Sequence, residues 1–390
     1  MPHMLQRAAV VALSLAIGGA SLAAPAAGAG GAIKVGVDLV LSGPASVWGT
    51  PQLRSIQMVA DDVNQHGGID GKKIELVVLD NKSDPTQSLT NAKQLVEQDH
   101  VSAVIGGGTS PTTMPLLKYM ESAKVPLISD GAANPIVTPV EERHWVFKTP
   151  HNDSVIAEAV ARFLARKKLQ SVGFISVNNA YGDSGLRQFS ATAPRYGLKI
   201  VDQEKFEATD SDVTAQLTKI RDAKPQALVV WAIPPGTSIV AKDAAQLSLP
   251  QTLVFSQGAG GNAFTELAQK AANGVYIVTT KIPVASQLPA NDPQKKLLAG
   301  YVKEYDSRYH EDPDAIAAFG GDAMRLLATA MKNGGGDDPS KIRDQLEKIH
   351  NLVSLSGIYN VTPEDHQGLS INDLVIAQFR DGKWNLVAGK

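Results

Sequence analysis

The sequence predicts an α/β protein of two lobes, each a doubly wound parallel sheet with helices on both faces. Three observations carry this expectation. Strand-like and helix-like stretches alternate along most of the chain, and such alternation builds parallel sheets covered on both faces. The alternation comes in two series that part near Pro150. A length of 390 residues, 43% of them hydrophobic and 19% charged, suffices for two packed cores.

In the first series, residues 33–41 (IKVGVDLVL) are apolar and rich in β-branched side chains, the composition of a buried strand. Leu53, Ile56, Ala60 and Val63 then recur at helical spacing until His66-Gly67-Gly68 stops the helix. IELVVLD (74–80) is the next strand. Asp84 caps a helix running to Val96, with Pro85 at its first position. The strand VSAVIG (101–106), a helix over 111–123 and the strand VPLIS (125–129) continue the rhythm. In the second series Asp153 caps a helix to Lys168, and SVGFISV (171–177) and a helix over 181–196 follow. The strands ALVVWAI (227–233), TLVFSQ (252–257) and GVYIVTT (274–280) complete it. Beyond Pro283 three helices are expected, over 293–309, 314–332 and 339–349, then short strands near 357–361, 374–379 and 384–388.

Several function classes are excluded early. A net charge of −2 leaves no electrostatic footprint for nucleic acid. The absence of cysteine removes disulfides, thiolate metal sites and cysteine nucleophiles. The eight histidines show no metal-ligand spacing and no G-x-S-x-G elbow occurs, so no catalytic residue, metal or cofactor is assigned and no enzymatic activity is expected. Arg7, the run AAVVALSLAIGGASLAA and the small residues APAAGAGGA have the order of a secretory signal peptide, so residues 1–29 are expected to be a cleaved leader.

Ligands of open α/β sheets bind beyond the carboxyl ends of the strands, which directs attention to the loops after them. The loop GGGTSPTTMP (106–115) follows an expected strand and opens an expected helix; glycines and hydroxyls there suit an anion. A nucleotide-binding P-loop would need a lysine, and the loop has none. Gly258-Ala259-Gly260-Gly261-Asn262-Ala263 fits a loose dinucleotide pattern, but the next strand ends in Thr280-Lys281 and supplies no ribose-binding acid. Trp48 and Tyr181 stand at matching places after the first strand of each series, where they can wall a ligand or pack inward. Ile233 ends the 227–233 strand and joins the ligand-facing set. His151, at the junction of the two series, reads as a structural or exposed histidine more readily than a ligand contact.

Taken in order, SGPASVWG, HGGIDGKKIELVVLDNKSDPTQS, AVIGGGTSPTT, PLISDGAANP and NAYGDSG resemble the type I periplasmic solute-binding proteins of ABC importers, most closely the branched-chain amino-acid (Leu/Ile/Val) group. The resemblance covers about residues 33–390. It implies two lobes joined by three crossovers and closing like a flytrap: lobe 1 from 33–150 and 283–355, lobe 2 from 151–282 and 356–390. It implies a periplasmic location, a small-molecule carboxylate ligand, an inner-membrane permease as partner and a monomer. The ligand carboxylate would be held at Thr109 and Ser110 with backbone N–H groups, and further contacts would fall on Gly131, Ala132 and Ala133. Trp48 would cover the ligand and Tyr181 would meet it from lobe 2. Two positions depart from the amino-acid binders. Gln257 and Gly258 stand where an acid would pair the ligand ammonium, and Ala133 replaces a threonine. An unpaired buried ammonium is costly, which favours an aromatic or other apolar organic acid over leucine. The alternatives are a branched-chain amino-acid receptor and a ligand-sensing domain for a signalling partner.

Overall fold

A computed structural model describes residues 31–387; the expected leader lies outside the described residues. Strands β1 (Ile33–Leu39), β2 (Ile74–Asp80), β3 (Ala103–Gly106), β4 (Leu127–Ser129) and β5 (Val146–Lys148) form one parallel sheet in the order β2-β1-β3-β4-β5. Strands β6 (Ser171–Val177), β7 (Lys199–Phe206), β8 (Ala227–Trp231), β9 (Thr252–Phe255) and β10 (Tyr276–Thr279) form a second. After a small hairpin of β11 (Leu352–Val353) and β12 (Ile358–Tyr359), the chain adds the antiparallel pair β13 (Val375–Arg380) and β14 (Lys383–Leu386) to the edge of the second sheet. Its order is β14-β13-β10-β9-β8-β6-β7.

The apolar runs explain themselves once both faces are seen. Along β3, Ala103 and Ile105 enter one core with Val35, Val37 and Leu39, while Val104 enters the opposite one with Leu127 and Val146. In the second sheet Ile175, Leu228 and Val230 face one core, and Phe174, Val229 and Trp231 the other. A strand buried on both faces cannot alternate with polar residues, hence the continuous hydrophobic reading.

Where expectation and structure differ, the cause is local. The sequence reading missed β5 and β7: β5 is three residues long, and β7 (KIVDQEKF) is an edge strand whose exposed side chains, Lys199, Gln203 and Lys205, are all polar. The helix expected over 111–123 is broken into Ser110–Thr113, a 3₁₀ turn Met114–Leu116 and Leu117–Ala123. Pro115 has no N–H to continue the helical ladder. Asp153 is the first residue of helix Asp153–Arg166, not its cap; Asn152 holds the cap position. Helix Ser46–Gln65 begins before Trp48, so that residue lies in the first turn and not ahead of it.

The chain passes from the first sheet to the second after Thr149, returns through residues 280–294, and passes again before β13. The last passage lies beyond Ser356, because Tyr359, Val361 and Leu369 are buried in the core of the first sheet. One carboxylate organises these strands of chain. Asp322, fully buried on helix Ala315–Ala330, accepts hydrogen bonds from Ser354 Oγ and from the backbone N–H groups of Leu355 and Ser356, the latter two at 2.7 Å. Tyr359 Oη lies 3.1 Å from Asp322 Oδ2 and 2.9 Å from the Thr149 carbonyl. Burial pushes the Asp322 pKa up, against the pull of these donors. Asp322→Ala leaves two buried amide donors unpaired, and a loss of about 3 kcal/mol in unfolding free energy is expected, read from the shift in the urea midpoint.

Candidate functional site

Loops from the carboxyl ends of strands in both sheets converge on one cleft. From the first sheet come the loop after β1, leading into the helix that carries Trp48, the loop after β3 with Thr109 and Ser110, and the loop after β4 with Gly131. From the second come Asn179 and Tyr181 after β6, Ile233 after β8, and Gln257 and Gly258 after β9. Of the ten expected residues, all but Ala133 line the cleft. Two small cavities of about 20 Å³ each lie in it, and Trp48, Gly131 and Tyr181 border both. Each is roomy enough for a water molecule and little more, so the two lobes stand closely apposed here.

The glycine-rich loop owes its shape to backbone geometry. Gly106, Gly107 and Gly108 all have positive φ, and a Cβ at Gly107 would sit 2.0 Å from Thr113 Oγ1. Gly131 is required for a different reason: its Cβ would lie 1.8 Å from the Gly108 carbonyl oxygen. The two loops after β3 and β4 therefore touch through backbone.

The hydroxyls of this loop do not act together. Thr109 Oγ1 and Thr112 Oγ1 are 2.7 Å apart, Thr112 also donates to the Gly107 carbonyl, and Thr113 donates to the Thr109 carbonyl at 2.7 Å. Ser110 differs. Its Oγ accepts the Ala133 N–H at 2.9 Å, which leaves its proton to donate and explains why Ala133 holds the loop instead of facing the cleft. The helix that starts here has four residues, too short for a macrodipole to add much, so any anion held at this loop would depend on the Ser110 hydroxyl.

The aromatic walls are firmly held. Trp48, 5% exposed, packs on Val40, Ile316 and Phe319 while bordering the cleft, so it serves as core and wall together. Tyr181 Oη lies 3.1 Å from Ser256 Oγ and accepts the Gly258 N–H at 3.2 Å; burial pushes its pKa up.

Two residues outside the expected set complete the wall. His151 is fully buried, with Nδ1 3.1 Å from Gln257 Nε2. Burial and the neighbouring Lys148 push its pKa down to about 3, so it is neutral. Asp153 accepts from the Asn134 N–H at 2.9 Å and from Ser184 Oγ at 2.7 Å on the same oxygen, joining a loop of the first sheet to a helix of the second. Sequence spacing offered no sign of this, since Asn134, Asp153 and Ser184 meet only in the fold. Lys148, also buried, is pushed down to about 8 by burial, opposed by Asp153 and Asp365.

Residues 32–383 match the periplasmic binding protein family. The chain belongs to that family. It is 25% identical over 316 residues to the leucine-, isoleucine-, valine-, threonine- and alanine-binding protein of Pseudomonas aeruginosa, covering 80% of this chain and 82% of that one. Among solved structures it resembles an extracellular ligand-binding receptor from Rhodopseudomonas palustris HaA2, with 28% identity and a TM-score of 0.85 over 91% of this chain and 99% of the receptor. It also resembles the branched-chain amino acid transporter substrate binding protein LivJ from Streptococcus pneumoniae, solved with isoleucine, with 26% identity, a TM-score of 0.80 and coverage of 91% and 99%. The fold is thus that of the type I periplasmic binding proteins, a family of solute-binding proteins. No helix of the described residues is long and apolar enough to cross a membrane.

Behind the site, Asp130 is fully buried and neither carboxyl oxygen has a hydrogen-bond partner among the described residues. Burial, with Asp38 nearby, raises its pKa from 3.8 to about 7. Between those values the folded chain keeps a proton that the unfolded chain has released, so this group makes folding less favourable as pH rises from about 4 to 7. Asp130→Asn should therefore match the parent near pH 4 and exceed it in stability at pH 8, as measured by urea midpoints at the two pH values.

Proposed function

We propose that this protein is the periplasmic substrate-binding component of an ABC importer, acting as a monomer that takes a small monocarboxylate with an apolar body and presents it to an inner-membrane permease. The observation that carries the reading is the convergence of Ser110, Trp48 and Tyr181 on one interlobe cleft. Ser110 has a proton to give to a carboxylate oxygen, and the two aromatics, with Ile233, supply apolar surface for the rest. The transport role rests on family membership. The lobes must part to admit any ligand, since the apposed cleft holds so little space. A ligand that touches both lobes only when they close shifts the balance to the closed form, which the permease would read.

On the ligand's identity, an aromatic or aliphatic acid without an ammonium group is favoured by the far wall. Gln257 stands where an acid would be needed, and its neighbour His151 is neutral. A branched-chain amino acid is the second reading, supported by the presence of Asp153 on the same wall and by the ligands named for the relatives.

Thermal unfolding against leucine, isoleucine, valine, benzoates, phenylpropanoates and medium-chain acids tests both. A ligand at 100 times its dissociation constant adds ~2.7 kcal/mol of stability. Stabilisation by the acids and not by amino acids is expected. Stabilisation by leucine that disappears in Asp153→Asn would establish the second reading. In either case Ser110→Ala should weaken binding about tenfold or more by calorimetry, and full affinity in that variant would remove the carboxylate assignment.

A further inference from the structure

The far wall of the cleft carries a directed chain of hydrogen bonds. His151, buried where the chain leaves the first sheet, is neutral and so carries one N–H and one lone pair. Its Nδ1 faces the amide nitrogen of Gln257. An amide NH₂ only donates, so Nδ1 holds the lone pair and the proton sits on Nε2. The opposite tautomer would set two donors against each other. Nε2 makes no full hydrogen bond, and the Ser370 carbonyl is the backbone acceptor beside the ring. Lys148 steadies the same residue from behind, its Nζ donating to the His151 carbonyl at 3.3 Å.

This commits the Gln257 nitrogen to His151. Gln257 Oε1 is left without a hydrogen-bond partner among the described residues, on a side chain that borders the cleft. Ser110 borders one cavity and Gln257 the other, with Trp48, Gly131 and Tyr181 common to both. That layout suits a ligand with a polar group at each end and an apolar body between them.

We infer that Gln257 Oε1 is the acceptor for a hydroxyl group on the ligand, at the end of the apolar body away from the carboxylate, and that His151 is the positioning residue that turns the amide carbonyl toward it. The inference rests on the carboxylate reading above and narrows it to hydroxy-substituted carboxylic acids. A hydroxyl has one proton to place, and one neutral carbonyl oxygen satisfies it. An ammonium has three protons and a full charge. Asp153, the nearby acid, already spends Oδ2 on Asn134 and Ser184, and the buried Lys148 cation lies on the same side.

The test is calorimetric titration of the mature protein with matched pairs: benzoate against 4-hydroxybenzoate, and 3-phenylpropanoate against its 4-hydroxy derivative, with leucine as the fifth probe. At least one hydroxylated acid should bind about tenfold more tightly than its parent, the worth of one well-placed hydrogen bond. That ratio should fall towards one in Gln257→Leu and in His151→Phe, a change that a merely structural role for either residue would not produce. Equal affinities within both pairs would overturn the hydroxyl site while leaving the carboxylate reading intact, as would an unchanged ratio in both variants. Binding of leucine and none of the four acids would overturn the carboxylate reading itself.

Discussion

The buried carboxylate of Asp322 holds together the parts of the molecule that must stay registered for a cleft to exist. It gathers the 354–356 turn onto helix Ala315–Ala330, and through Tyr359 it reaches Thr149, where the chain first leaves the first sheet. Thr149 Oγ1 returns a bond to the Phe319 carbonyl on the same helix. Phe319 in turn packs on Trp48, the wall of the cleft. A single acid thus links the passage between the lobes, the helix behind the cleft and the aromatic that lines it. Unpairing its donors in a dry interior would cost more than most surface substitutions, because buried amides have no water to fall back on.

From that frame the division of labour follows. Parallel sheets send their strand ends to one side, and here loops from the strand ends of both sheets line one cleft. The first sheet contributes Ser110, held in place by the Ala133 amide and, on the proposed reading, the donor to the ligand carboxylate. The second contributes Tyr181 and the Gln257–His151 pair. Asp153 lies between them and ties the two sides with one oxygen, so apposition of the lobes is itself hydrogen-bonded. On the proposed reading the chemistry is recognition, and a ligand that meets both walls adds its own contacts to these protein ones and so shifts the balance further towards the closed form.

Much of this was legible in the sequence. The strands at 74–80 and 171–177 and the Asp84 cap emerge where their patterns place them, because apolar runs and Asp-Pro starts are local signals. The cleft loops were legible too, since strand ends are where such folds bind. The rest was hidden for physical reasons. An edge strand such as β7 carries the polarity of a loop. Trp48 packs inward and lines the cleft at once, a combination that neither exposure nor burial alone would suggest. His151 and Gln257 are 106 positions apart, and Asp153 meets partners 19 and 31 positions away, so their roles exist only after folding. The hydroxyls of Thr112 and Thr113 looked available for a ligand, but the tight glycine turn uses them to satisfy its own carbonyls.

The most direct check on the central claim, that one interlobe cleft binds a carboxylate end-on at Ser110, is a crystal structure of residues 31–390 with the most stabilising acid. The account predicts a carboxylate oxygen within hydrogen-bond distance of Ser110 Oγ and the body of the ligand between Trp48 and Tyr181. A ligand bound elsewhere, or one in the cleft with its carboxylate turned away from Ser110, would contradict it.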